Sequence, residues 1–144
     1  MRMFGARLFI ALGMVLCLSG LAQASVIIGK TRVVFPSDKK EVTVQLTNLD
    51  DVPKLVQVWL DDGRKDVAPD LLDVPFQILN PVFRMNPKKG QVLRILALPN
   101  QLPKDRESVY WMNVLEVAPK PDVAPSENYV QISFRTRIKL FYRP

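Results

Sequence analysis

The strongest pattern in this chain lies at its end. The even positions read Val130, Ile132, Phe134, Thr136, Ile138, Leu140 and Tyr142. The odd positions read Gln131, Ser133, Arg135, Arg137 and Lys139, with Phe141 the apolar exception before Arg143. Period-2 alternation places the apolar set on one face of a β-strand and the polar, cationic set on the other. Fully extended at about 3.3 Å per residue, Tyr129 to Pro144 reaches roughly 50 Å, whereas an ordinary strand has about 5–6 residues. A small domain cannot cover that much apolar edge by itself. Part of the strand is therefore expected to be an aggregation hazard or a binding device.

Shorter strand signals precede it. Thr31 to Phe35 is a β-branched run that stops at Pro36-Ser37-Asp38. In Glu41 to Asn48, Val42, Val44 and Leu46 face one way and Thr43, Gln45 and Thr47 the other. Leu55 to Leu60 sets Val56, Val58 and Leu60 opposite Gln57 and Trp59, and Asp61 to Asp70 reads as a loop. Phe76 to Leu79 and Val82 to Met85 are broken by Asn80-Pro81. Pro87-Lys88-Lys89-Gly90 turns the chain into Gln91 to Leu98, and Ser108 to Val117 is apolar on both faces, as a central strand should be. No amphipathic helix and no repeat is visible. About seven strands separated by turn signals predict an all-β fold, an immunoglobulin-like β-sandwich.

Residues 1–24 read differently. Arg2 and Arg7, with no acid nearby, precede an apolar run from Leu8 to Leu21, and Ala22-Gln23-Ala24 forms a small-x-small cleavage site before Ser25. This is the pattern of a secretory signal peptide. The run, about 14 residues, is shorter than the about 20 that a membrane span needs. Cys17 follows Leu16 inside it, not the small residue that lipoprotein processing requires. Residues 25–144 contain neither cysteine nor histidine. One exported domain that relies on its core without disulfides is expected, and the bacterial periplasm is the compartment that best fits it.

The net charge of +6 does not point to nucleic acid, because no helix-turn-helix, zinc-ligand or aromatic-basic motif accompanies it. A specific acidic group, such as a carboxylate, is the more economical target. Catalysis is not expected. Without histidine or a cysteine after the leader, the common nucleophile–base pairs and most transition-metal sites are unavailable to the chain. Asp50-Asp51 and Asp61-Asp62 lie in turn-rich segments, where solvated acids are the default. Arg32 and Lys139 stand out: the first and last strands of such a sandwich often lie close together, and an arginine beside a lysine makes a two-cation site for one carboxylate.

The chain resembles the N-terminal domain of the periplasmic pilus-assembly chaperones of the chaperone–usher pathway. The matching segments are Thr31 to Phe35, Asn80 to Pro87 (NPVFRMNP), Leu102 to Ser108 (LPKDRES) and Arg137 to Pro144 (RIKLFYRP), in family order. The resemblance implies donor-strand complementation, in which the chaperone's last strand fills the open groove of a pilus subunit that lacks a strand of its own. Val130, Ile132 and Phe134 would insert, and Arg32 and Lys139 would anchor the subunit's C-terminal carboxylate and so fix the register. Glu107 and Arg143 match residues of a salt-bridge network at a domain junction. The implied partners are pilus subunits and an outer-membrane usher, with no ATP, cofactor, metal, nucleic acid or small-molecule substrate. The short, cysteine-free loop from Ala118 to Asn128 fits the branch that builds rod-like pili. Family members have two immunoglobulin-like domains; Pro144 falls about where the first ends, so an N-terminal domain without its C-terminal partner is expected, as a truncated form or a one-domain variant.

Two other readings compete. A pilus structural subunit would carry its donor segment at the N-terminus, where Val26-Ile27-Ile28 is too short. A stand-alone immunoglobulin-like periplasmic module that binds carbohydrate or a surface would show clustered exposed aromatics, whereas Trp59 and Trp111 fall inside strands.

Overall fold

A computed structural model describes residues 25–144; the expected leader, residues 1–24, lies outside the described residues. The chain forms strands β1 (Val26–Ile28), β2 (Arg32–Pro36), β3 (Glu41–Asn48), β4 (Lys54–Asp61), β5 (Phe76–Leu79), β6 (Val82–Met85), β7 (Gly90–Ala97), β8 (Ser108–Val117) and β9 (Ser133–Arg143), with one 3-10 turn at Pro69–Leu71. They build two sheets, in the orders β1-β3-β7-β5 and β2-β9-β8-β4-β6. This is the expected immunoglobulin-like sandwich. Its pairings are antiparallel except β2 with β9, which run parallel.

The alternating positions supply the core. Val44 and Leu46 of β3, Val56 and Val58 of β4, Leu93 and Ile95 of β7 and Met112 of β8 are all buried between the sheets. At one end Phe35, Phe76, Tyr110 and Tyr142 stack in tilted and edge-on pairs with centroids 5.1–5.8 Å apart, the offset geometry that ring quadrupoles favour. The chain crosses from one sheet to the other between β5 and β6, at Asn80-Pro81, and returns through the turn before β7. Asn80 (φ 53°) and Lys88 (φ 58°) make these corners in the left-handed region, which asparagine tolerates better than most residues.

Two expectations need correction. Nine strands form against the about seven expected: each of the eight runs read from the sequence is a strand, and Val26–Ile28 adds a ninth by pairing with β3; three residues hold too little alternation to read. The last strand starts at Ser133, not Tyr129. Its antiparallel pairing with β8 ends where Val117 faces Ser133. Beyond Val117 the neighbouring segment contains Pro119 and Pro121, which have no N–H to give a ladder. Residues 129–132 are left exposed and outside the sheet, with Gln131 Nε2 donating to the Ala118 carbonyl at 2.8 Å.

Candidate functional site

β9 lies between β2 and β8, so its outward, odd-numbered face carries cations in the middle of a sheet. The parallel register sets Arg32 of β2 opposite Lys139 of β9. Val33 and Leu140, one residue on, are fully buried, so strand alternation sends Arg32 and Lys139 outward on the same face. Both are exposed. They border an open hollow of about 370 Å³ together with Thr31, Trp111, Arg137 and Phe141. Among the described residues neither Arg32 nor Lys139 has a carboxylate within ion-pair distance. Two neighbouring cations without a counter-ion repel each other, and a carboxylate bridging them would turn that repulsion into charge-assisted hydrogen bonds.

The hollow has a floor that the sequence reading missed. The Lys139 Nζ sits 5.2 Å from the Trp111 ring centroid, and the Arg137 guanidinium lies 4.1 Å from the same ring, within the range of cation–π attraction. Arg137 grips Asp61 with two hydrogen bonds, Nε to Oδ2 at 3.0 Å and Nη2 to Oδ1 at 2.5 Å. Asn113 Nδ2 donates to Asp61 Oδ2 at 2.7 Å, and the Gly63 N–H donates to Oδ1 at 2.7 Å. The network continues along β9: Arg135 donates Nε and Nη2 to Asn113 Oδ1 at 2.9 and 2.7 Å, and its guanidinium lies 5.1 Å from the Trp59 ring.

Asp61 is therefore no solvated turn acid. It ends β4 and is fully buried. Burial pushes its carboxyl pKa up, but the hydrogen bonds from Arg137, Asn113 and Gly63 and the Arg137 charge outweigh that and hold it below the ordinary value. The other acids named from sequence are engaged too. Asp50 pairs with Lys54 at 3.0 Å, Asp51 with Lys88 at 3.5 Å and Asp62 with Arg64 at 2.8 Å. One signal did point to the network: Arg135, Arg137 and Lys139 fall on one face of a single strand, and a carboxylate placed among such neighbouring cations relieves their repulsion.

The expected donor residues lie on the same chain segment. Val130 is 87% exposed, Ile132 62% and Phe134 45%. Phe134 belongs to β9, opposite Glu116, while Val130 and Ile132 precede the strand. Glu107 and Arg143 meet at one end of the sheet, where Arg143 Nε donates to Glu107 Oε1. Both members of the pair lie within the described residues.

Residues 25–144 match the family described as pili and flagellar-assembly chaperone, PapD N-terminal domain. The chain belongs to this family. A probable fimbrial chaperone of Escherichia coli K12, YadV, is 47% identical over 139 residues, covering 93% of this chain and 56% of its own length. The Bordetella pertussis chaperone protein FimB/FhaD is 44% identical, covering 91% of this chain and 55% of its own. This PapD-like domain thus spans about half the length of the curated relatives it matches. Among solved structures it resembles the Pseudomonas aeruginosa CupB2 chaperone, with TM-score 0.70, 47% identity, 82% of this chain and 55% of that one. It also resembles a chain from a Salmonella enterica SafA pilin–SafB chaperone complex, with TM-score 0.70, 28% identity, 87% of this chain and 57% of that one.

Proposed function

We propose that this chain is the subunit-binding domain of a periplasmic pilus-assembly chaperone that works by donor-strand complementation. The observation that carries the reading is that one strand holds both parts of the device. Lys139, beside Arg32, marks one point on β9, and the exposed apolar series Val130, Ile132, Phe134 begins five residues upstream of it, about 17 Å along an extended chain. A subunit's C-terminal carboxylate held by Arg32 and Lys139 fixes where pairing starts. The alternate side chains then enter successive pockets of the subunit's open groove, and main-chain hydrogen bonds add affinity. The pilin bound in the SafB complex is a ligand of the proposed class.

In this reading residues 1–24 are the export leader, cleaved after Ala24. The outer-membrane usher is the second partner, to which the loaded chaperone delivers its subunit. Glu107 and Arg143 brace the junction with a second immunoglobulin-like domain. The domain is not an enzyme: it uses no cofactor and takes its specificity from register.

The test is co-expression with a pilus subunit and recovery of the complex from periplasmic extract. Arg32→Ala and Lys139→Ala should each abolish recovery, and Ile132→Asp should weaken it by placing a charge in an apolar groove. Undiminished recovery with both cation variants refutes the carboxylate anchor, and full binding by Ile132→Asp refutes strand donation.

A further inference from the structure

Glu116 sits on the inward face of β8, 4% exposed, and takes no part in the subunit-binding site. Its carboxylate reaches across to the start of the described chain. The Val26 N–H donates to Oε2 at 2.6 Å, and at Oε1 the Ser25 N–H donates at 3.3 Å and the Ser25 hydroxyl at 2.9 Å. Among the described residues no lysine or arginine lies within ion-pair distance of Glu116. A buried carboxylate met only by dipoles keeps its net charge in a poorly polarisable interior, an unfavourable arrangement unless a cation joins it. The atom best placed to become that cation is the Ser25 nitrogen, directly after Ala22-Gln23-Ala24.

We propose that Glu116 is a binding site for the α-ammonium group that leader cleavage creates at Ser25. The proposal rests on the assignment of residues 1–24 as an export leader. Hydrolysis of the Ala24–Ser25 bond by the leader peptidase consumes one water, leaves a carboxylate on Ala24, and frees the Ser25 amine, which is protonated at neutral pH. An amide nitrogen offers Oε1 one hydrogen and no formal charge; the ammonium offers three hydrogens and a unit positive charge at the same place. Processing therefore converts a dipole contact into an ion pair, and only the matured chain neutralises Glu116.

The clamp has structural reach. Ser25 leads into β1, the edge strand of the four-stranded sheet, whereas Glu116 belongs to a central strand of the five-stranded one. The ion pair ties the two sheets together at their margin. Only Gly29, Lys30 and Thr31 separate β1 from β2, so the same contact restrains the approach to Arg32.

The chain secreted with its own leader is compared with a cytoplasmic form that keeps Ala22-Gln23-Ala24 behind an initiator methionine. Sequencing of the secreted form should start at Ser25. NMR titration should place its α-amino pKa about one unit or more above the ordinary range of about 7.7–8.0, corresponding at neutral pH to a folding equilibrium constant roughly tenfold larger than that of the extended form. Glu116→Gln, of nearly the same shape, should remove both effects. An ordinary α-amino pKa in the wild-type mature protein, or equal stability of the two forms, overturns the proposal. A mature start at another residue overturns the leader assignment as well, and sequencing reports that separately. Arg32→Ala should leave the Ser25 titration unchanged, so failure of the chaperone reading does not move this result.

Discussion

The two halves of the alternating C-terminal run share a pattern and meet opposite fates. From Ile138 to Tyr142 the even side chains join the core: Leu140 is fully buried, and Ile138 and Tyr142 pack against the buried cluster. From Val130 to Phe134 the same alternation leaves each apolar side chain at least 45% exposed. The difference lies in their neighbours. β2 accompanies β9 only from Lys139 to Arg143, and β8 runs out at Ser133. Alternation reports which face a side chain takes, while the flanking strands decide whether that face is covered. One half of the run is the domain's own last strand; the other lies uncovered among the described residues and, in the function proposed above, is the part offered to a subunit.

The sharpest way to break this comparison is truncation at matched positions. Leu140→Ala should cost about 2–5 kcal/mol, because a fully buried leucine leaves a cavity behind. Ile132→Ala should change stability by less than about 0.5 kcal/mol, as surface substitutions do. Urea denaturation of both variants measures the contrast. Similar losses would mean that the domain itself covers its upstream half.

The cationic face yields a second contrast of the same kind. Arg137 and Arg32 both border the hollow around Trp111, yet only Arg137 holds a buried acid. Arg137→Met should cost about 2 kcal/mol, less than the about 3–5 kcal/mol of a fully buried pair because Arg137 keeps some contact with water. It should also release Trp111 and Asp61 from their shared partner. Arg32→Ala should leave the urea midpoint where it is and affect only subunit recovery. A large stability loss at Arg32 would make it part of the fold's framework and weaken its assignment as a ligand-binding group.

Much of this division was legible from residue order. β3 and β4 alternate clearly because each has one face on the core and one in water, and the sandwich follows from several such strands. The neighbourhood of Arg32 and Lys139 was inferred from first and last strands lying together, and the register places them directly opposite. The start of β9 was placed four residues early, because Tyr129 to Ile132 alternate like a strand but have no paired neighbour. Asp61 reads as a solvated acid because Asp61-Asp62-Gly63 has the composition of a turn. Its partners, Asn113 and Arg137, stand 52 and 76 residues away, and a distant register leaves no mark on local composition.

The smallest expected effect tests whether Asp61 is the fixed charge on which the cationic face is built. Its folded pKa lies below the ordinary 3.8. In the acid range between the folded and the unfolded pKa, the unfolded chain binds more protons at this site than the native one. The stability that Asp61 contributes is then fully present above about pH 5 and is lost progressively as pH falls through 3.8 toward the folded value. Asp61→Asn removes the titrating group, so its urea midpoints between pH 5 and pH 3 should fall less steeply than those of the wild type. Identical slopes for Asp61→Asn and the wild type would mean that the Arg137 pair adds no differential proton binding. Arg137 would then be one more solvated cation beside Lys139, and the contrast between a braced and an open half of the cationic face would not hold.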